Sequence, residues 1–272
     1  MTHNSVILVG CGNMGYAMLQ GWLASGKLKA KDVTVVEPVD TLRERAGRLG
    51  VNIVRNSTEL APDAVARLII LAVKPQTIQD VLPAYQPFAK TATFVSVLAG
   101  TPVTQFENIL GAASAIIRCM PNTPAAIGKG MMVTFANANV SAENLTFTEE
   151  LLKISGHTAR IEDESLMDAV TAVSGSGPAY IFHFIECLTN AGIKAGLPQE
   201  IAGMLAMQTV YGAGALAAES ADTPTQLRIN VTSPNGTTAA ALDVLMQNDR
   251  LQNLLTEAVE AARNRSVELG KN

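Results

Sequence analysis

Short apolar runs alternate with stretches of helical periodicity from Ser5 to about Asp163, and the alternation ends near Glu164. Apolar runs bounded by Gly, Pro, Asn and Asp suit strands buried on both faces, and their alternation with helices is the pattern of a doubly wound parallel sheet. Strands are expected at Val6–Val9, Val33–Glu37, Val51–Val54, Leu68–Val73, Thr93–Val97 and Ala115–Arg118. Two weaker runs, Gly130–Phe135 and Thr158–Ile161, are candidates to extend the sheet. Beyond Glu164 the pattern is helical: Ser165–Val173, Pro178–Ala195 stopped by Gly196, Pro198–Ala218 and Asp249–Leu269. Pro at a first turn and Gly past the last one mark these boundaries. In the final helix Leu251, Leu254, Leu255, Ala258, Val259 and Ala262 fall on one stripe. The expected division is residues 1–163 as an α/β domain and 164–272 as an all-α domain.

Composition narrows the class. A chain of 272 residues is long for one core and natural for two domains. With 48% hydrophobic and 16% charged residues it has the material for a packed interior. A net charge of -4 and the lack of any Lys or Arg run leave no electrostatic footprint for nucleic acid or an anionic membrane. No apolar run is expected to reach the ~18 residues of a membrane span, and Met1–Asn4 lead into a strand without a signal peptide's charged leader and apolar core. The expectation is a cytoplasmic protein whose partners are small molecules or its own copies. Cys11, Cys119 and Cys187 are isolated and odd in number, which supports neither a disulfide framework nor a thiolate metal site. The alanine-rich helical domain, poor in aromatics, has difficulty burying its apolar faces alone, so a dimer through this domain is expected. The alternative is a monomer whose helices pack back on the first domain.

Two segments carry the chemistry. Val6–Val9, then Gly10-Cys11-Gly12-Asn13-Met14-Gly15, then a helix from Tyr16 make a dinucleotide fingerprint in strand-turn-helix context, so the first domain reads as Rossmann-type. Glu37 ends the second strand, where an acidic side chain receives ribose hydroxyls and favours NADH; Arg43 and Arg45 are the alternatives, for a 2′-phosphate. Lys74, in Ala72-Val73-Lys74-Pro75, and Val97-Leu98-Ala99 follow the fourth and fifth strands, on the side where ligands bind. Pro121 and Pro124 bracket Asn122-Thr123 in a rigid loop, either a structural corner or a wall of the site. At the other end of the chain, Ser233-Pro234-Asn235-Gly236-Thr237-Thr238 opens the helical pattern of Ala239–Leu242 with a turn rich in donors. A helix N-terminus leaves N–H groups without partners and carries partial positive charge, which suits a carboxylate. Ser174–Tyr180 repeats that logic. His3, His157 and His183 are isolated, and no cluster has metal-ligand spacing. A reaction needing a strong acid, a metal or an activated nucleophile is therefore disfavoured, whereas hydride delivery to an electrophilic C=N bond needs only a positioned cofactor, a held substrate and a donor near nitrogen.

These motifs, with Met120–Pro124, Ser174–Tyr180 and Val231–Thr238, occur in the order and spacing of pyrroline-5-carboxylate reductase, and the resemblance spans essentially the whole chain. It implies reduction of L-1-pyrroline-5-carboxylate to L-proline with NADPH or NADH, and dimers through the helical domain that assemble further into decamers. It places the cofactor against Gly10, Cys11, Gly12, Asn13, Met14, Gly15, Asn56, Ala72, Val73, Lys74, Pro75, Val97, Leu98 and Ala99. It places the substrate against Thr171, Ser233, Gly236, Thr237 and Thr238, with the Thr238 hydroxyl at the imine nitrogen. The chain departs from the family at Asn235, usually Gly, and at Glu37, where NADPH-preferring members often carry Asn, Ser or Arg. Asn tolerates a left-handed backbone. A β-hydroxyacid dehydrogenase and a non-catalytic dinucleotide sensor are the other readings; the first needs a Lys base, and Lys74 lies on the nucleotide sheet while Lys194 comes late in its helix.

Overall fold

The structure, a computed structural model, describes residues 5–61 and 64–270. His3 and the reading of Met1–Asn4 lie outside the described residues. Eight strands form one sheet: β1 (Val6–Val9), β2 (Val33–Val36), β3 (Asn52–Val54), β4 (Leu68–Leu71), β5 (Thr93–Ser96), β6 (Ala115–Met120), β7 (Gly130–Ala136) and β8 (Gly156–Arg160). Their order is β3-β2-β1-β4-β5-β6-β7-β8. β1 therefore sits at the switch point, with β2 on one side and β4 on the other, both parallel to it.

Period-two alternation explains why β1 and β4 read as unbroken apolar runs. Val6 and Leu8 face one core with Met18, Leu19 and Trp22, while Ile7 and Val9 face the other with Ile69, Leu71, Tyr85, Phe94 and Phe106. Each such side chain contributes roughly 1.5 to 3 kcal/mol by burial. Among the helices that cover the sheet are α1 (Asn13–Ala24), α2 (Asp40–Gly47), α3 (Ile78–Val81), α4 (Val103–Leu110) and α5 (Ala142–Leu152). The sheet departs from all-parallel at one place: β7 runs antiparallel to β6, and β8 is parallel to β7. Residues 121–129 are too few for a crossover, which needs a dozen or more, whereas α5 supplies one between β7 and β8.

The helical part contains α6 (Met167–Val170), α7 (Gly177–Lys194), α8 (Gln199–Glu219), α9 (Pro224–Asn230), α10 (Thr237–Met246) and α11 (Arg250–Leu269). α9 has no counterpart among the expected helices. It is short and polar, and its signals are local: Thr223 accepts the Gln226 N–H at 3.2 Å and Pro224 occupies the first turn. Thr171–Gly175 forms a single wide turn between α6 and α7, closed by Ser176 N–H to Thr171 O at 2.9 Å. Ser174–Tyr180 thus runs from this wide turn directly into the first turn of α7, with the Ser176 N–H already bonded to Thr171 O.

By packing, the chain forms two compact units, residues 1–176 with 262–272, and residues 177–261. The expected boundary after Asp163 differs from this division because the segment beyond it is tied to the sheet unit. Glu164 Oε1 accepts from buried Arg118 Nη1 at 2.6 Å and from Val103 N–H at 2.7 Å. Ser266 Oγ donates to Asp168 Oδ1 at 2.6 Å. In the second unit only Ala202 and Ala206 are buried among the described apolar residues, while Phe182, Met204, Tyr211 and Leu254 stand 58 to 63% exposed. α8 is also long and apolar enough, by length and composition, to cross a membrane, with a mean hydropathy of 1.3 over its best window. The expectation that no segment would reach that length is therefore not met by α8, whose Gln208 and three glycines break up its apolar residues without lowering the average below that of a span.

Candidate active site

The glycine turn links β1 to α1 and is built against the end of β4. Gly10 has φ +88, and a Cβ there would lie 2.7 Å from Ala72 O; one at Gly15 would lie 2.5 Å from Gly10 O. A Cβ at Gly12 would meet nothing within 4 Å. Gly10 and Gly15 thus close the turn, while Gly12 faces open space at the N-terminus of α1, which has no side-chain cap. That uncapped end beside open space is the cradle a pyrophosphate requires, so the residues fit a dinucleotide.

A cavity of about 600 Å³ opens from this turn along the carboxyl ends of β1, β2 and β4. Of the residues expected at the cofactor, Gly10, Gly12, Glu37, Asn56, Ala72, Val73 and Lys74 line it. Cys11, Asn13, Met14, Gly15, Pro75, Val97, Leu98 and Ala99 do not. The Cys11 side chain is buried, and burial pushes its thiol up to about 11, with Arg45 opposing the shift and Glu37 adding to it. Leu98 is buried with its N–H on Ser96 Oγ at 3.2 Å.

Glu37 is nearly fully buried, and its carboxylate is held at both oxygens. Oε2 accepts the Cys11 N–H at 2.7 Å and Oε1 accepts the Val39 N–H at 2.9 Å. Arg45 grips the same loop from its carbonyl side: Nη2 donates to Cys11 O at 2.9 Å and to Gly12 O at 3.3 Å, with the guanidinium 4.0 Å over the Tyr16 ring. Arg43 donates to Glu37 O at 2.9 Å and Pro38 O at 3.2 Å and pairs with Asp40. Neither arginine therefore lines the cavity. The one that does is Arg55, at the end of β3, 2.9 Å from Asp40. Sequence reasoning passed over it, although a basic residue beyond a strand's carboxyl end is a detectable signal. Hydrogen bonding to Arg43 and the charge of Arg55 hold the Asp40 carboxyl below its ordinary value. The Asn56 side chain accepts the Thr58 N–H at 3.0 Å, which fixes the turn after β3.

In the second unit, Ser233, Gly236, Thr237 and Thr238 form one corner. The Gly236 N–H donates to Ser233 O at 3.0 Å, closing a turn over Pro234 and Asn235, and Asn235 adopts φ 57. Asn thus takes the left-handed conformation for which the family usually has Gly, and the turn is kept. α10 begins at Thr237, so both threonines lie in its first turn, and Gly236 at the cap provides no side-chain bond. The leading N–H groups are those a carboxylate accepts from. Thr171 belongs to the first unit, its hydroxyl donating to Met167 O at 2.9 Å.

Asn122 decides the role of the Pro121–Pro124 loop. Its Nδ2 donates to Ser174 O at 3.2 Å and its Oδ1 accepts the Met131 N–H at 2.8 Å, as in a structural corner. His183 is less isolated than its sequence position suggests, since helical spacing sets Nδ1 3.0 Å from Glu186 and Nε2 3.5 Å from the Cys187 thiol. No group of three potential metal ligands occurs among the described residues.

Comparison with known proteins places these features. Residues 164–269 match the family model for pyrroline-5-carboxylate reductase dimerisation, and residues 5–100 that for NADP oxidoreductase, coenzyme F420-dependent. The pyrroline-5-carboxylate reductase of Pseudomonas aeruginosa is 38% identical over 100% of this chain and 98% of its own length. Among solved structures, a pyrroline-5-carboxylate reductase from Coxiella burnetii superposes with TM-score 0.92 at 32% identity over the whole of both chains. Plasmodium falciparum pyrroline carboxylate reductase with NADP bound gives 0.84 at 30% identity over 99% of each. With the glycine turn, the uncapped α10 corner and full-length likeness together, the chain belongs to the pyrroline-5-carboxylate reductase family.

Proposed function

We propose a division of labour in which residues 1–163 bind the cofactor and residues 164–272 bind substrate and a second copy. The reaction is the NAD(P)H-dependent reduction of L-1-pyrroline-5-carboxylate to L-proline, the last step of proline biosynthesis. NADPH or NADH, when bound, supplies the hydride that the imine carbon accepts. Everything else falls to this chain. Gly12 and the first turn of α1 receive the pyrophosphate through backbone N–H groups. Of the residues the family resemblance implies, Gly10, Ala72, Val73 and Lys74 line the cavity beside it, while Cys11, Asn13, Met14, Gly15, Pro75 and Val97 to Ala99 stand outside that lining. Glu37 and Asn56 hold the adenosine ribose. In the second unit the Ser233 hydroxyl and the leading N–H groups of α10 bind the substrate carboxylate, with Gly236 admitting its close approach and Thr237 completing the contacts there; Thr171, of the first unit, is the further substrate residue that the resemblance implies. Thr238 donates a hydrogen bond to the imine nitrogen, which takes up a proton as the hydride arrives.

The observation that carries this reading is the Ser233–Thr238 corner, a closed turn with Asn235 at φ 57 leading into an uncapped helix. Its neutral donors suit an imine acid. The absence of a Lys base on that corner argues against hydroxyacid oxidation. The test is cofactor turnover by the intact protein, read in both directions. Oxidation of NAD(P)H with L-1-pyrroline-5-carboxylate and no reduction of NAD(P)+ with hydroxyacids is expected; reduction of NAD(P)+ with hydroxyacids and no reaction with the imine would replace this reading with the dehydrogenase, and turnover with neither would replace it with the sensor. The apolar faces of the second unit point to a homodimer, with a decamer as the assembly beyond it. The cytoplasm is the proposed location, with no membrane or nucleic-acid partner.

A further inference from the structure

We propose that Arg55 recognises the 2′-phosphate that distinguishes NADPH from NADH, and that Asp40 holds it in reserve when that phosphate is missing. The proposal rests on the reading above that the cavity receives the cofactor's adenosine half. Arg55 leaves the end of β3 into the cavity wall beside Asn56 and Glu37. Its Nη2 lies 2.9 Å from Asp40 Oδ1, with the two side chains 55% and 59% exposed. An exposed pair of this kind adds little stability, so the guanidinium exchanges a carboxylate for a phosphate readily, and it meets a phosphate with a two-pronged fork. Arg43 shares the same Asp40 oxygen but is fixed by the carbonyls of Glu37 and Pro38, its side chain only 15% exposed. When Arg55 turns away, Arg43 remains on Asp40.

Glu37 makes this second charge necessary. Its two oxygens are bound to the N–H groups of Cys11 and Val39, so its negative charge cannot swing aside from an incoming phosphate. With NADH, Glu37 accepts the ribose hydroxyls and Arg55 stays on Asp40. With NADPH, Arg55 moves to the phosphate and offsets Glu37. One cavity thus accepts both cofactors without rebuilding the glycine turn.

Calorimetric titration of the intact protein with adenosine 2′,5′-bisphosphate and with AMP separates this phosphate from the rest of the nucleotide. R55Q should weaken the bisphosphate about tenfold and leave AMP within about twofold, the loss of one charge-assisted contact. R55K should retain part of the difference, and D40N should tighten the bisphosphate by about threefold while AMP is unchanged. Equal weakening of both probes in R55Q, or of neither, overturns the proposal, as does loss of the discrimination in K74Q instead. An unchanged D40N overturns the reserve role of Asp40. If the wild-type protein binds neither probe, the adenosine reading of the cavity has failed and the proposal falls with it; if AMP binds but R55Q leaves the ratio of the two affinities intact, the proposal alone has failed.

Discussion

β1 and α8 are both rich in apolar residues, yet every residue of β1 is buried while α8 buries only Ala202 and Ala206. The sheet unit closes its interior within one chain, because strands with two apolar faces can be covered by their own crossover helices. The helical unit cannot: Phe182 on α7, Met204 and Tyr211 on α8 and Leu254 on α11 remain open to solvent. Its apolar surface stays exposed within the chain, and residues 164–269 match the family model for pyrroline-5-carboxylate reductase dimerisation, so this is the face on which the proposed second copy would sit. Under that proposal folding stability and assembly fall to different regions, and substitutions in each should be read by different measurements.

The largest effect is expected at the helical face. Met204→Glu places a charge in the proposed interface, repeated by the two-fold, at a cost of roughly 5 kcal/mol per dimer or several thousandfold in Kd. Sedimentation velocity at micromolar concentration should show the wild type as a dimer or a multiple of it and the variant as monomer. A variant that still sediments with the wild type would mean this face is not where copies meet.

Phe94→Ala, in the middle of β5, should cost about 3 to 5 kcal/mol in urea unfolding and leave the oligomer intact below the transition. A loss under about 1 kcal/mol would show that the sheet core is looser than its full burial implies.

Thr238→Ala tests the proposed site and leaves the helical face and the sheet core alone. Loss of one hydrogen bond to developing charge, about 1.5 to 3 kcal/mol, should lower kcat by about 10- to 100-fold without changing cofactor affinity. Wild-type turnover would assign the proton to water, and weakened cofactor binding would assign the corner to the wrong ligand.

The smallest effect is a pH slope confined to the sheet unit. Burial raises Cys119 to about 12 and Cys11 to about 11, against an ordinary thiol value of 9.0. Above that ordinary value the unfolded thiols lose protons that the folded ones retain, so the unfolded state binds fewer protons and stability falls as pH rises. Urea unfolding between about pH 8 and 11 should show this decline, and Cys119→Ala should flatten it. An unaltered slope in the variant would place the titration elsewhere.

All eight strands were legible to within two residues at either end; in β1, β4 and β5, where every residue is buried, burial on two faces leaves its mark on every position, whereas β3 and β8 are largely exposed. The glycine spacing was legible for the same local reason: Gly10 and Gly15 are constrained by contacts within the turn and the adjoining strand end. The tolerance of the Ser233–Thr238 turn for Asn235 was also legible, since left-handed backbone is a property of the residue itself. What local pattern cannot carry is the partner of a charged side chain. Arg43 and Arg45 stand near the expected 2′-phosphate position in sequence, but their reach is spent on Glu37 O, Pro38 O, Cys11 O and Gly12 O. Arg55 enters the cavity because β3 ends beside it, a fact of sheet order. The wide turn at Thr171–Gly175 lies, at Ser174 and Gly175, against Asn122 and Met120, more than fifty residues away in the chain, where a Cβ at Gly175 would meet the Met120 side chain. The sequence alone therefore determined the strands, the longer helices, the uncapped helix starts at α1 and α10 and the family. Tertiary structure decided which charges face the cavity, where the packed units divide and which apolar faces stay uncovered, because each depends on neighbours that are distant along the chain.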